Sequence, residues 1–151
     1  MHLDQIENRF RSFRSRAGEN LIYRFAAGAT LEAMQRAEAH LAVEFPEQVA
    51  RFWLAFDGLE VLDPPFKILP LSEMKRNGEL LTFCYCDRTA EISFDVRAHN
   101  QAAQWSIVNA STRYVVTFTL ASFWSTHLWS WILKRRTFWH ERAASEGSPI
   151  R

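Results

Sequence analysis

The sequence predicts an α+β domain: an antiparallel sheet of about five strands, with an N-terminal helix pair and a C-terminal helix packed against it. Three stretches of the chain favour this arrangement. Residues 29–58 place apolar side chains at helical spacing on both sides of a short apolar turn. Residues 66–120 contain segments in which apolar and polar side chains alternate, as they do in strands with one buried face. Residues 122–136 return to helical spacing and are rich in tryptophan.

The composition is typical of one packed domain. The chain has 151 residues, of which 48% are hydrophobic and 14% aromatic, unlike a disordered chain. We expect a helical extension over residues 1–24, a single domain over 25–142 and a frayed tail over 143–151. The apolar runs are too short to span a bilayer, and the first residues lack the apolar segment of a signal peptide. A cytoplasmic location without a membrane partner is therefore expected.

The first helix of the pair has a recognisable start. The hydroxyl of Thr30 can cap the free N–H groups of the first turn. Leu31, Met34 and Leu41 then lie along one apolar stripe, with Ala37 on its flank. This face is predicted to pack against the sheet.

The second helix is expected to begin at Pro46, since proline suits the first helical position. Trp53 lies on a broad apolar face, together with Val49, Phe52 and Phe56. Gly58 can adopt the left-handed conformation that ends a helix, with Leu59 folding back on Leu54. Pro46, Trp53 and Gly58 are thus predicted to have structural roles.

Glu38 interrupts the apolar stripe of the first helix, and a carboxylate there needs a partner. The free N–H groups at the start of the second helix are the obvious candidate, so we expect Glu38 to fix the angle between the two helices. The alternative is a catalytic acid, but no second acid lies at a fixed local spacing.

Two hairpins follow. Leu81, Phe83 and Tyr85 alternate on one predicted strand, and residues 92–96 do so on the next. Residues 105–108 and 114–120 form the second hairpin. Three of the six tryptophans lie on apolar stripes. The other three are Trp105, Trp129 and Trp139, and one of these is expected on a partner-binding surface.

No catalytic group, metal site or cofactor is predicted. Cys84 and Cys86 are interpreted as buried thiols on opposite faces of a strand, and no matching Cys or His pair suggests zinc. His127 lies between tryptophans on the last helix and is interpreted as a packed histidine rather than a general base. An N-terminal helix rich in arginine could bind nucleic acid, but its acidic residues dilute the charge, so no nucleic-acid partner is predicted.

The charge is unevenly distributed along the chain. Residues 38–96 hold five basic and eleven acidic residues, which gives this segment a net charge of −6. The N-terminal part before it has a net charge of +2, and the C-terminal part after it has a net charge of +5. An acidic middle suits a basic partner, although it is equally typical of an ordinary solvated surface.

The order of these motifs resembles the SUKH superfamily of Smi/Knr-type domains. Members typically have a helix with a glutamate near its end, a Leu-Pro step, an aromatic helix that closes at glycine, an Ile-x-Pro-Leu strand, a late apolar-x-Phe-Asp strand and a closing helix with Ser-Phe. The corresponding positions here are Glu38, Phe45-Pro46, Phe52-Trp53, Asp57-Gly58, Ile68–Glu73, Ile92–Val96 and Ser122-Phe123.

The resemblance implies a binding module without catalytic activity. Bacterial members are mostly immunity proteins that neutralise a cognate toxin, often a nuclease, and other members are scaffolds or regulators. We therefore expect a toxin as partner, bound over an acidic surface. The surplus tryptophans of the C-terminal helix could instead be buried in a homodimer, so both a monomer and a homodimer are considered. Loops and hairpin turns are predicted to present the partner-binding residues Asp57, Glu60, Asp63, Asp87 and Glu91.

Overall fold

The computed structural model describes residues 3–17 and 22–140, with side chains over 5–12 and 22–140. The predicted frayed tail at 143–151 lies outside the described residues. The helices are α1 (Leu3–Ala17), α2 (Leu31–Leu41), α3 (Glu47–Ala55), a 3₁₀ turn (Leu71–Glu73) and a C-terminal helix over 120–134. The strands are β1 (Tyr23–Phe25), β2 (Leu59–Val61), β3 (Phe66–Ile68), β4 (Lys75–Asn77), β5 (Leu80–Cys86), β6 (Ala90–Asp95), β7 (Ser106–Asn109) and β8 (Val115–Thr117).

The α+β class is confirmed, but the sheet has eight strands instead of about five. Neighbouring strands run antiparallel, in the order β1-β2-β3-β5-β6-β7-β8. β4 also pairs with β5, on the same edge as β3 but at the opposite end of β5. Both predicted hairpins are present, as β5–β6 and β7–β8. The sequence pattern missed β2 because it is three residues long, and β4 because all its residues are exposed. Three residues are too few for alternation alone to identify a strand from the sequence.

The helices cover one face of the sheet and form a single core with it. Phe10 of α1 is fully buried, and its ring contacts Trp124 and Trp129 of the C-terminal helix. Trp53 of α3 packs on Phe83 from the sheet. The helix over residues 3–17 therefore contributes to the core of the same unit as the rest of the chain.

The start of α2 is as predicted, whereas two details of the helix pair are not. The Thr30 hydroxyl accepts a hydrogen bond from the Ala33 N–H at 3.0 Å. Leu31, however, is 62% exposed, because it lies in the first turn beyond the edge of the core. Pro46 is the extended residue that precedes α3, which begins at Glu47, so the helix starts one residue later than expected.

Glu38 connects the two helices. Its Oε2 accepts a hydrogen bond from the Phe45 N–H at 2.8 Å, directly before Pro46, and its carbonyl accepts one from the Val43 N–H at 3.0 Å. The half-buried carboxylate thus holds the turn between α2 and α3, as expected, but its partner is a turn N–H before Pro46 and not a free N–H of α3 itself.

Replacing Glu38 with glutamine is expected to lower the free energy of unfolding by about 1–2 kcal/mol, because a charged acceptor of a backbone N–H becomes a neutral one. Urea unfolding followed by circular dichroism measures this. Glu32→Gln, on the exposed side of the first turn of α2, is the matched control and should cost less than about 0.5 kcal/mol. Equal effects of the two substitutions would show that the bond to Phe45 contributes nothing.

Gly58 has a different role from the one predicted. Its φ of +103° favours glycine, but α3 already ends at Ala55, with Phe56 as an extended C-cap. A Cβ at Gly58 would lie 3.0 Å from the Ile68 carbonyl oxygen, so the glycine allows the chain to enter β2 beside β3. The expected contact of Leu59 with Leu54 is absent, since Leu54 is exposed.

The prediction that a tryptophan lies on a partner surface is wrong, because all six are buried. Trp105 contacts Phe45 and Phe94, and Trp139 packs against Trp131. The helix that carries three of them begins at Leu120, capped by the Thr119 hydroxyl, two residues before the predicted start at Ser122. Its middle part, Phe123–Leu128, is π-helical. Residues 135–140 are not helical, and Trp139 folds back onto the core.

The two cysteines share a face of β5, contrary to the prediction. Positions two apart on a strand point the same way, and the Sγ atoms of Cys84 and Cys86 lie 4.0 Å apart. Both thiols are free and buried, as expected, and burial raises the pKa of Cys84 well above its ordinary value.

Candidate functional site

The candidate site is the outer face of the sheet, which is the face opposite the helices. Direct cross-strand partners share a face, and five of them form one row across β1, β2, β3, β5 and β6. The strand register aligns them as Arg24, Glu60, Lys67, Tyr85 and Glu91.

The alternation within each strand explains why these side chains point outward. Leu59 and Val61 on β2 are buried, and Glu60 between them is half-buried. Phe66 and Ile68 flank Lys67 in the same way on β3. Since the apolar residues fill the core, the polar residue between them must face away from the helices.

Polar contacts join the row to its surroundings. Arg24 pairs with Glu60 at 3.0 Å, and Lys67 pairs with Glu73 at 3.3 Å. The Tyr85 hydroxyl donates to Glu91 Oε1 at 3.2 Å. Tyr85 is therefore an aromatic side chain held in place at the centre of a charged surface.

Two shallow grooves adjoin Glu60 and Lys67, which line both of them. The first has a volume of about 270 Å³ and is partly apolar, with Leu62, Pro65 and Tyr85 in its lining. The second, about 340 Å³, is lined by both charge signs: Arg24, Asp57, Glu60, Lys67 and Glu73. The outer face thus offers apolar and charged recesses side by side.

Three of the five predicted partner-binding acids lie on this face or at its end. Glu60 and Glu91 belong to the row, on β2 and β6. Asp87 lies in the exposed β5–β6 turn, whose backbone is hydrogen-bonded to Pro65 of the β2–β3 turn. In the part of the chain that the structure describes, the Asp87 carboxylate makes no ion pair within 4.0 Å.

The other two acids are engaged within the fold. Asp57 Oδ1 accepts a hydrogen bond from the Leu71 N–H at 2.8 Å and so holds the 3₁₀ turn, although the residue also lines the second groove. Asp63 pairs with Arg135, beyond the C-terminal helix, at 2.7 Å. A substitution at Asp57 would alter the fold as well as the surface charge, whereas the Asp63–Arg135 pair lies at the surface and contributes little to stability.

Sequence reasoning missed Arg24, Lys67 and Tyr85 as members of the site. For Arg24 and Lys67 the available signal was their position between two apolar residues. Tyr85 was predicted on the same face as Leu81 and Phe83, but the register shift between Thr82 and Cys84 turns its side chain to the outer face. What the sequence could not provide was the register that brings them into one row.

An ion-pair network borders the same face. Arg97 pairs with Asp95 at 2.6 Å and with Glu79 at 3.5 Å, and Arg113 pairs with Glu79 at 2.6 Å. The hydrogen bond from Arg97 lowers the pKa of Asp95 below its ordinary value. The network joins the β4–β5 turn, the end of β6 and the β7–β8 turn.

This pKa shift predicts a pH-dependent stability. A carboxyl group whose pKa is lower in the folded state stabilises the protein above its unfolded pKa of about 4, and this contribution is lost as the pH falls through the folded pKa. Asp95→Asn should therefore lower the urea midpoint more at pH 7 than at pH 3. Asp87→Asn, the control, should show no such difference. Parallel pH profiles for wild type and Asp95→Asn would contradict the prediction.

His127 is a packed histidine, as expected. Its ring lies 5.5 Å from that of Phe138, and burial lowers the pKa of the imidazole. Among the described residues, no three His, Cys, Asp or Glu side chains are grouped as metal ligands would be. None of the helices in residues 3–17 and 22–140 has the length and apolar character needed to cross a bilayer.

Comparison with known proteins leaves the family open. No family model matches the chain, and no curated protein matches it. The resemblance to the SUKH superfamily therefore stays a prediction from the motifs.

Proposed function

We propose that this chain is a protein-binding domain without catalytic activity, and that it neutralises a cognate bacterial toxin by covering its active site. The observation that carries the proposal is the outer face of the sheet. It combines a row of charged side chains, a central tyrosine and two adjoining grooves, whereas the α-helices pack on the opposite face.

The chemistry of this face suits protein recognition. Tyrosine and arginine are enriched at binding interfaces, because each combines a large contact area with directional hydrogen bonds. Tyr85 is already restrained by its hydrogen bond to Glu91, so little side-chain entropy is lost on binding. The exposed Leu62, in the first groove, adds an apolar contact.

Three acids are the best candidates to attract a basic toxin. Glu60, Asp87 and Glu91 lie on the outer face or at its end, whereas Asp57 holds the 3₁₀ turn and Asp63 pairs with Arg135 away from the row. A nuclease carries a basic surface, and negative charge on this face would accelerate its approach. The steering charge is therefore assigned to the first three residues.

The test is a triple neutralisation, Glu60→Gln, Asp87→Asn and Glu91→Gln, assayed against the product of the neighbouring gene. Association should slow about tenfold or more at low salt and lose most of its salt dependence, since long-range attraction is removed. Stopped-flow fluorescence measures the rates, and growth of cells that express the toxin measures protection.

The control is an equal change of charge in the helical layer. Glu32→Gln, Glu44→Gln and Glu47→Gln remove three exposed acids from α2, the α2–α3 turn and α3. This variant should keep the wild-type association rate. If both triple variants associate alike, the outer face does not steer the toxin.

A scaffold or regulatory module is the second candidate. The alternating signs of the row favour it, because a face with mixed charges also fits a partner of mixed charge. A toxin gene next to the gene for this chain would support the immunity function. A neighbouring gene for a non-toxic protein that binds the outer face would support the scaffold.

A further inference from the structure

The charge pattern of the outer face is self-complementary. From β1 to β5 the row reads Arg24, Glu60, Lys67 and Tyr85, at successive strand spacings of about 4.8 Å. Read backwards from Tyr85, the two central positions are complementary, because the lysine meets a glutamate and the glutamate meets a lysine. A surface with this property can bind a second copy of itself.

One symmetry axis realises this match. A second copy can be rotated by 180° about an axis that runs parallel to the strands and passes between Glu60 and Lys67. Glu60 of each copy then faces Lys67 of the other. Arg24 of each copy faces Tyr85 of the other, whose ring already has Lys75 Nζ 6.0 Å from its centroid, so the attraction is carried by the two central Glu60–Lys67 pairs. The contact is isologous and closes as a dimer.

The alternative axis is excluded by charge. An axis that runs along the row would place Glu60 on Glu60 and Lys67 on Lys67, which is repulsive. The favoured axis also keeps the strands of the two sheets nearly aligned, which is the usual geometry when sheets pack face to face. The charge sequence therefore favours an axis parallel to the strands over one that runs along the row.

The side chains concerned are accessible. The side chains of Arg24, Glu60 and Lys67 are 82%, 36% and 41% exposed, and their ion pairs within the chain are surface pairs, which contribute little and exchange easily.

We propose that two copies of this chain associate through their outer faces as a weak, reversible dimer, with Glu60 and Lys67 at the centre. A contact limited to this face buries roughly 1,000 Å² in total, at the low end for specific interfaces. The same face is the one assigned to the toxin, so a bound toxin would displace the second copy. The dimer does not depend on the proposed function, since it involves this chain alone.

Analytical ultracentrifugation of the full chain from about 10 to about 500 μM tests the proposal, since weak interfaces assemble in this range. Wild type should shift from monomer to dimer. Glu60→Lys should abolish the shift, because two lysines then face each other across the axis, and Lys67→Glu should do so because two glutamates meet. An equimolar mixture of the two variants should restore dimers, since each lysine again faces a glutamate.

Controls keep the outcome unambiguous. Glu47→Lys is the matched control, because Glu47 forms a similar surface ion pair, with Arg51 on α3 at 3.6 Å. This variant should leave dimerisation unchanged. Circular dichroism verifies that each variant is folded. The proposal is overturned if wild type stays monomeric throughout, if the single variants dimerise like wild type, or if the mixture associates no better than either variant alone.

Discussion

Replacing Gly28 with alanine is expected to prevent stable folding, or to lower the free energy of unfolding by about 3 kcal/mol or more. A Cβ at this position would lie 1.9 Å from the carbonyl oxygen of Leu54 and 2.7 Å from its carbonyl carbon. Both are backbone atoms of α3, so no side-chain rotation relieves the overlap. The adjacent hydrogen bond from the Ala29 N–H to the Trp53 carbonyl, 2.9 Å long, fixes this close approach.

Gly78→Ala is the matched control for this prediction. Gly78 has a φ of +63° in the β4–β5 turn, but no neighbouring atom within 4 Å would meet its Cβ. The Gly78→Ala variant should therefore lower the free energy of unfolding by about 1 kcal/mol, from backbone strain alone. Urea unfolding monitored by tryptophan fluorescence compares the two. If Gly28→Ala is as stable as Gly78→Ala, α3 does not pack on residue 28 as described.

Removing the Trp53 ring is the second substitution with a large expected effect. Trp53 is fully buried, its ring packs edge-on against Phe83 and Phe94, and its Nε1–H donates to the Leu69 carbonyl at 2.9 Å. Trp53→Ala should cost about 3–5 kcal/mol, because it leaves a cavity between α3 and the sheet.

Trp53→Phe separates packing from hydrogen bonding. It keeps an aromatic ring but leaves the Leu69 carbonyl without its donor, and should cost about 1–3 kcal/mol. Thermal and urea unfolding both report the order wild type, Trp53→Phe, Trp53→Ala. A loss below about 1 kcal/mol for Trp53→Ala would mean that the ring is not at the centre of the core.

The sequence was a sufficient guide to the helix pair and the long hairpins. Thr30, Met34, Glu38 and Trp53 could be placed because helical spacing and capping are local signals. The strands β5 and β6 were found because they have seven and six residues, but the bulge after Thr82 puts Tyr85 on the face opposite to the predicted one. Local chemistry therefore predicted the elements that are long or capped.

The sequence was a poor guide wherever distant segments meet. The role of Gly58 depends on β3, ten residues further on, and not on the helix that precedes it. Trp105 and Trp139 lie outside regular apolar stripes, yet tertiary packing buries both. The row on the outer face exists only through the register of five strands, which no local pattern encodes.

The central claim, that the outer face is the protein-binding surface, is tested most directly by NMR mapping of this chain with the product of the neighbouring gene. We expect amide shifts and line broadening to concentrate at Glu60, Lys67, Tyr85, Asp87 and Glu91, while α2 and α3 are unaffected. Perturbations confined to α2, α3 or the C-terminal helix would contradict it.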